Sequence, residues 1–171
     1  MNRSDTTVSP TVLLTGGLGY IGSHCAVVLH EAGFRVVLVD NLSNARIEVV
    51  DALAEIMGER PVFIEGDIRD TELMVSVLQK HDVSAVMHFA GLKAVGESVE
   101  KPLDYFDCNV GGTVSLLQAM EASGVHRLVF SSSATVYGAP VYLPMDEAHP
   151  KGPTNPYGQT KLQIEQILEA V

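Results

Sequence analysis

The sequence is poor in cysteine and in positive charge, and it has no tryptophan. Its 171 residues include two cysteines and 11 lysines and arginines, against 21 aspartates and glutamates, for a formal net charge of −10. This acidic balance and the lack of any basic run argue against nucleic acid as a partner. Cys25 and Cys108 have no CxxC or metal-ligand spacing, so we expect two free thiols in a reducing cytoplasm and no metal site.

Long hydrophobic runs are also missing. No stretch approaches the roughly 18 consecutive apolar residues of a membrane span, and the polar segment Met1 to Pro10 has no feature of a signal peptide. The composition is nevertheless 46% hydrophobic, which is enough for a domain with a real core. We therefore expect a single cytoplasmic domain over residues 1–171, with no membrane partner.

Short apolar runs alternate with longer helical patterns, as is typical of a parallel sheet covered by helices. The predicted strands are Thr11–Thr15, Arg35–Val39, Pro61–Glu65, Ala85–Phe89 and Arg127–Ser131. The predicted helices are Tyr20–Ala32, Arg46–Met57, Thr71–Lys80, Pro102–Ala122 and Asn155 to the end. Right-handed crossovers then predict an α/β fold, a doubly wound, Rossmann-like parallel sheet in the order 3-2-1-4-5, with ligands at the carboxyl ends of the strands.

The first strand runs into a glycine-rich turn that begins a helix. Gly16, Gly19 and Gly22 spell GxxGxxG, a pattern that permits a tight turn, close approach of a pyrophosphate, and close packing of helix on strand. The amide groups at the start of the helix would face the phosphates. Because many strand–turn–helix junctions use glycine, this motif needs support from its surroundings.

Asp40 supplies that support. It ends the second strand, eighteen residues beyond Gly22, where an acidic residue binds the ribose hydroxyls of the adenosine half of a dinucleotide. An acidic side chain there repels a 2′-phosphate, and the neighbouring residues 41–43 supply no cation. The sequence therefore favours NAD over NADP; the alternative is an aspartate that only caps a loop.

Further candidates follow the third and fourth strands. The spacing of Asp67 suits equally well a bond to the adenine amino group or a helix cap, whereas Asp70 is better interpreted as the cap. The segment 89–91 would run beside the cofactor, and Lys93 would reach its phosphates or ribose. A single histidine at a strand end, such as His88, is usually structural.

The fifth strand ends in a hydroxyl-rich segment, residues 131–135, which alone could be a simple turn. Tyr157 and Lys161 follow at i and i+4 on the last helix, and therefore share a face. A phenol with a pKa near 10 is a weak base at neutral pH, but a nearby ammonium and an oxidised nicotinamide favour the phenolate. Together with the glycine motif and Asp40, this pair predicts redox chemistry.

Taken together, these motifs resemble those of the extended short-chain dehydrogenase/reductase superfamily, and within it the UDP-glucose 4-epimerases. The similarity runs from Thr11 to the end and is most specific in residues 88–98 and 130–138. In two places the chain departs from some members, which carry Asn where Cys108 stands and a hydroxyl where Ala45 stands. The resemblance implies NAD contacts from Gly16, Gly19, Tyr20, Ile21, Asp40, Asn41, Asn44, Asp67, Ile68, Phe89, Ala90, Gly91, Lys93, Asn109, Tyr157 and Lys161.

The resemblance also implies a reaction, the inversion of C4 in UDP-glucose and UDP-galactose through a transient 4-keto sugar. Tyr157 would act as the base, Lys161 would hold the nicotinamide ribose, and Ser133 would bond the reacting oxygen, with Ala134 and Thr135 also touching the hexose. One alternative is a related dehydratase or decarboxylase; dehydratases typically carry Asp-Glu where this chain has residues 134–136, Ala-Thr-Val. A binding module without chemistry is the other.

Members of this group are about twice as long, with a substrate domain after the cofactor domain. The resemblance therefore implies an NAD-binding half, truncated before the substrate domain, that binds NAD but does not epimerise. It further implies a homodimer through the two longest predicted helices, although a wide core stripe would explain their apolar residues equally well. Those residues are Leu103, Phe106, Val110, Val114, Leu117, Leu162, Ile164, Ile167 and Leu168.

Overall fold

The computed structural model describes residues 9–171, so most of the polar segment that gave no sign of a signal peptide lies outside the described residues. Five parallel strands form one sheet in the order β3-β2-β1-β4-β5, which confirms the predicted 3-2-1-4-5 arrangement. The strands are β1 (Thr11–Thr15), β2 (Arg35–Asp40), β3 (Val62–Glu65), β4 (Val83–His88) and β5 (Leu128–Phe130). Strand β1 has the predicted bounds, and the ends of the other strands lie within two residues of the predicted ones.

Helices cover both faces of the sheet. They are α1 (Tyr20–Glu31), α2 (Val49–Met57), α3 (Thr71–Lys80), α4 (Val95–Glu100), α5 (Pro102–Tyr105), α6 (Gly112–Ala122) and α7 (Pro156–Ala170). A π-helical turn, Phe106–Gly111, joins α5 to α6, and a 3₁₀ turn, Ala134–Val136, follows β5. Among residues 9–171, none of the helices has the length and apolarity needed to cross a bilayer.

Two helix predictions need correction, and one helix was not predicted. The helix predicted over Pro102–Ala122 is interrupted by the π-helical turn, where the Thr113 hydroxyl donates to the Asn109 carbonyl at 2.6 Å. The helix predicted from Arg46 begins only at Val49, because residues 46–50 form i to i+3 backbone bonds. Helix α4 was not predicted, since its six residues include a glycine and two valines that obscure a helical pattern.

Two apolar clusters lie on opposite faces of the sheet, as a doubly wound fold requires. On one face, α3 and α6 pack over alternate residues of β1, β2 and β4; the members include Leu13, Val37, Val39, Met74, Leu78, Val86 and Leu116. On the other face, α1 and α2 pack over the intervening residues; the members include Val12, Leu14, Ala26, Val36, Leu38, Val50 and Leu53. The central strands are therefore buried on both sides, and their carboxyl ends open together at one edge.

Candidate functional site

A cleft of about 240 Å³ lies at the carboxyl ends of the strands. Every cofactor contact expected between Gly16 and Lys93 lines this cleft: Gly16, Gly19, Tyr20, Ile21, Asp40, Asn41, Asn44, Asp67, Ile68, Phe89, Ala90, Gly91 and Lys93. Several other residues, for which no ligand contact was predicted, also line it: Val39, Ser43, Ala45, Gly66, Leu92, Cys108 and Ser131. Most of these neighbour an expected contact in the chain, and Cys108, in the π-helical turn, directly precedes the expected contact Asn109.

The glycine turn fits a pyrophosphate because it has no room for side chains. Gly16 adopts φ +65°, and a Cβ atom there would lie 2.7 Å from the backbone nitrogen of Ala90. A Cβ atom on Gly22 would overlap the carbonyl oxygen of Gly16. Helix α1 begins after Gly19, which has no side chain to cap it. The first amide groups of α1 are therefore left for an anionic ligand.

Asp40 links the end of β2 to the glycine turn. One carboxylate oxygen accepts from the Leu18 amide at 3.1 Å, and the other accepts from the Leu42 amide at 2.9 Å. The side chain is buried but still lines the cleft. Asp40 thus fastens the loop, as the simpler alternative held, and keeps the position from which it would meet a ribose.

Asp67 is held by a neighbour that the sequence analysis did not assign to the site. Arg69 donates to both carboxylate oxygens of Asp67, at 2.9 and 2.8 Å, and also bonds Asp107 at 2.6 Å. These bonds, led by the one from Arg69, hold the pKa of Asp67 well below its usual range. Asn41 donates to the same carboxylate at 2.9 Å. The helix cap comes instead from Asp70, whose side chain accepts from the backbone amide three residues later, which confirms that prediction.

Tyr157 and Lys161 lie on one face of α7, beside the cleft rather than in its lining. The Lys161 ammonium nitrogen is 5.9 Å from the centroid of the Tyr157 ring. It donates to the carbonyl of Ser131 at 2.8 Å and lies 4.6 Å from the centroid of the Phe130 ring. Burial lowers the pKa of Lys161 to about 8. Because Ser131 itself lines the cleft, this hydrogen bond joins α7 to the cleft wall.

The three residues expected to touch a hexose form the turn after β5. Ser133 caps the 3₁₀ turn, and its hydroxyl accepts from the backbone amide and the hydroxyl of Thr135. Ala134 is exposed at the start of that turn. A Cβ atom on Gly158 would lie 2.8 Å from the Thr135 carbonyl oxygen, so α7 packs directly against this turn. The hydroxyl segment therefore forms a turn that adjoins the helix carrying Tyr157, and its contact with a hexose stays a prediction.

Asn109 is buried and makes all of its side-chain bonds to other parts of the protein. Its amide oxygen accepts from the Leu92 amide at 2.7 Å, and its amide nitrogen donates to the Leu92 carbonyl and the Thr160 hydroxyl. Asn109 does not line the cleft, although Leu92 does. Its contact with NAD stays a prediction.

His88, at the end of β4, is fully buried between two threonine hydroxyls, at 2.6 Å from Thr15 and 3.0 Å from Thr113. Burial, and secondarily the charge of Lys161, lowers the pKa of His88 to about 3. This environment agrees with the interpretation of His88 as a structural residue. In the part of the chain that the structure describes, no group of three or more His, Cys, Asp or Glu is placed to hold a metal ion.

His88 should make the stability of the chain depend on acid. In the unfolded chain His88 binds a proton below its ordinary pKa of 6.5, whereas in the folded chain it stays neutral down to about pH 3. Acid therefore favours unfolding. We expect a loss of about 3 kcal/mol between pH 6.5 and pH 4 from this residue. Urea unfolding of the wild type and of His88→Gln at several pH values measures it. The variant should lose this part of the pH dependence, whereas His126→Gln, at an exposed site, should retain it; equal slopes in all three would contradict the assignment.

Residues 13–171 match the family described as GDP-mannose 4,6 dehydratase. The chain belongs to this family. Within it, the similarity is to UDP-glucose 4-epimerases, as the motifs indicated: the Bacillus subtilis enzyme is 54% identical over 157 residues, and the Homo sapiens enzyme is 52% identical over 164. These alignments cover 92% of this chain but 46% and 47% of the relatives. The chain thus spans about half the length of the curated relatives it matches.

The fold of this chain is similar to that of solved UDP-glucose 4-epimerase structures. The enzyme from Stenotrophomonas maltophila, with bound NAD and formylated UDP-arabinopyranose, has a TM-score of 0.93 at 50% identity. The enzyme from Bifidobacterium longum, in complex with NAD⁺ and UDP, has a TM-score of 0.91 at 46% identity. Both comparisons cover 94% of this chain and 48% of the solved one.

Proposed function

We propose that this chain is the NAD-binding half of an enzyme that interconverts UDP-glucose and UDP-galactose by inverting C4. One observation carries the proposal: a glycine-lined cleft and the Tyr157–Lys161 pair meet at the same edge of the sheet, joined through Ser131. The similarity to epimerases that bind NAD and UDP-sugars supports it. Residues 1–171 are then one cofactor domain, with the substrate domain supplied by additional chain.

The preference for NAD follows from the charges around Asp40. A 2′-phosphate would meet this carboxylate, while Asn41, Ser43 and Asn44 beside it in the cleft are uncharged. Arg69 is already engaged by two carboxylates and cannot serve as the counter-ion without breaking those bonds. We therefore expect NADP to bind more weakly than NAD.

The residues of α7 account for the proton chemistry. Bound NAD supplies the hydride acceptor and donor at the sugar C4. Tyr157 takes the proton from the C4 hydroxyl and returns it after the 4-keto sugar has rotated to present its opposite face. Lys161 places positive charge 5.9 Å from the tyrosine ring centroid, which stabilises negative charge on the phenolic oxygen. Ser133, in the turn against α7, orients the reacting oxygen.

The two alternatives are less well supported. A dehydratase must expel water across C5 and C6, and the turn after β5 has no carboxylate at residues 134–136 to assist it. A binding module without chemistry has no use for a buried ammonium. The burial of Lys161, which lowers its pKa from 10.5 to about 8, opposes folding by about 3 kcal/mol at neutral pH, and a chemical role explains why the chain retains it.

A chimaera tests the proposed activity. We define it as residues 10–171 of this chain joined to the carboxyl-terminal half of the Bacillus subtilis epimerase. With NAD it should convert UDP-galactose to UDP-glucose, whereas the 171-residue chain assayed by itself should bind NAD without turnover above background. A folded, NAD-binding chimaera that gives no C4 epimer, or that yields a 4-keto-6-deoxy sugar, would contradict the proposal.

We further propose a homodimer through α5, α6 and α7. Leu103 and Val114 are 80% and 37% exposed, which suits a shared apolar face, whereas Ile164 is 1% exposed and belongs to the core. Light scattering at micromolar concentration should give a dimeric mass, and Leu103→Glu should reduce it to that of a monomer. Val28→Glu, at a site 63% exposed on α1, is the matched control and should stay dimeric. A monomeric wild type would refute the dimer.

The expected cytoplasmic location also belongs to the proposal. It is supported by the two cysteines, Cys25 and Cys108, which are free thiols in the structure. Both are partly buried, and burial raises the pKa of Cys108 and so keeps it in the unreactive thiol form.

A further inference from the structure

We propose that a buried hydrogen-bond network through His88 fixes helix α7, and with it Tyr157 and Lys161, relative to the strand ends that line the cleft. The network joins β1, β4, the π-helical turn and α7. This inference rests on the proposed function in one respect only, because it takes Tyr157 and Lys161 as the reacting pair.

The hydroxyl hydrogens assign one tautomer to His88. Thr113 donates its hydroxyl hydrogen to the Asn109 carbonyl at 2.6 Å, so toward His88 it can only accept. His88 Nε2 must therefore carry a hydrogen and donate across 3.0 Å, which leaves Nδ1 as the acceptor. Thr15 donates to Nδ1 at 2.6 Å and itself accepts from the Ala90 amide at 3.4 Å. Every bond in this half of the network has one direction.

Asn109 carries the network from the π-helical turn to α7. Its amide oxygen accepts from the Leu92 amide at 2.7 Å, and its nitrogen donates to the Leu92 carbonyl at 2.9 Å. The remaining amide hydrogen donates to the Thr160 hydroxyl at 3.1 Å, and Thr160 in turn donates to the Tyr157 carbonyl at 2.7 Å. The last acceptor in the network is thus the backbone carbonyl of Tyr157, the residue that would act as the base.

Burial makes this arrangement specific. His88, Asn109, Thr113 and Thr160 are each at most 2% exposed, so a broken bond would leave a polar group without water. A π-helical turn often marks a functional site, and here it delivers Asn109 between the cleft loop and α7. A second proton on His88 would turn Nδ1 from an acceptor into a donor, so Thr15 could no longer donate to it, and the new charge would face that of Lys161. The bond directions assigned above therefore require a neutral His88.

The position of α7 can be read from the environment of Lys161. Thr160→Val removes the acceptor for Asn109, so α7 should shift and Lys161 should become more hydrated. NMR of the 171-residue chain with labelled lysine should then show the Lys161 pKa rising by about one unit, a tenfold change in its protonation constant. Thr160→Ser keeps the hydroxyl and should retain the wild-type value. Thr71→Val, on α3, controls for loss of a threonine hydroxyl elsewhere and should also leave it unchanged.

A purely structural role would lower the unfolding midpoint of Thr160→Val but leave the Lys161 pKa as in the wild type, and that result would overturn the proposal. A second measurement needs no variant: ¹⁵N NMR of the wild type at pH 6 should show His88 protonated on Nε2 alone. Protonation on Nδ1, or on both nitrogens, would overturn the network even if Thr160→Val failed to fold. Neither readout uses NAD or turnover, so a failure of the proposed function would appear separately, in the NAD titration and the chimaera assay.

Discussion

Replacing Tyr157 with phenylalanine should lower the turnover of the chimaera by a factor on the order of 10³, because no other group would take the C4 proton. The change removes one oxygen from a half-buried side chain and leaves the cleft lining intact, so NAD binding should lose at most the one contact predicted for the Tyr157 hydroxyl. Initial rates of UDP-galactose conversion, at saturating NAD and sugar, measure the effect on kcat.

Tyr142→Phe is the matched control for that substitution. Its hydroxyl bonds Asp146 in an exposed loop, so its loss should leave turnover unchanged. If Tyr157→Phe kept near-parental turnover, the assignment of the base would be wrong. If both variants lost activity alike, the effect would reflect folding rather than proton transfer.

Gly22→Ala should abolish measurable NAD binding to the 171-residue chain. The new Cβ atom would overlap the Gly16 carbonyl oxygen and approach the Gly17 Cα atom to 2.9 Å. Because both neighbours are backbone, α1 must move away from the glycine turn, and overpacking of this kind costs about 1–3 kcal/mol or more. Since the pyrophosphate would bind at this junction, we expect an affinity loss of at least about a hundredfold.

The chain offers a close control in Gly96→Ala. Gly96 also lies in a helix, α4, and a Cβ atom there would meet nothing within 4 Å. Alanine at this position should leave NAD affinity unchanged and, through helix propensity, should not destabilise the fold. NAD titration and urea unfolding of both variants separate the two cases. Tight binding by Gly22→Ala would mean that the phosphates do not approach the glycine turn.

The order of the strands in the sheet could be predicted because the strands can be recognised in the sequence as short apolar runs. Uninterrupted apolar runs such as residues 36–39 are typical of strands buried on both faces, and parallel strands with right-handed crossovers leave few possible strand orders. The cleft could be predicted for a related reason. The glycine motif, Asp40 and the segment 89–91 each follow a strand, and the carboxyl ends of parallel strands meet at one edge.

What escaped prediction depends on contacts between distant residues. The hydrogen bonds of Arg69 to Asp67 and Asp107 join the loop after β3 to the π-helical turn, 38 residues further along the chain. No local sequence pattern predicts them. The π-helical turn likewise coincides with tertiary contacts of Asn109 with Leu92 and Thr160, which the helical spacing of the sequence does not show. His88 was recognised as structural, but its tautomer required the positions of both threonines.

The most direct test of the account is a calorimetric titration of the 171-residue chain with NAD and, separately, with NADP. NAD should bind one site per chain, NADP should bind at least about tenfold more weakly, a difference of about 1.4 kcal/mol, and Gly22→Ala should bind neither. Asp40 would cause the difference between the cofactors, because its carboxylate lines the cleft at the end of β2. No binding of NAD at millimolar concentration, or equal affinity for the two cofactors, would contradict the assignment of this cleft as an NAD site.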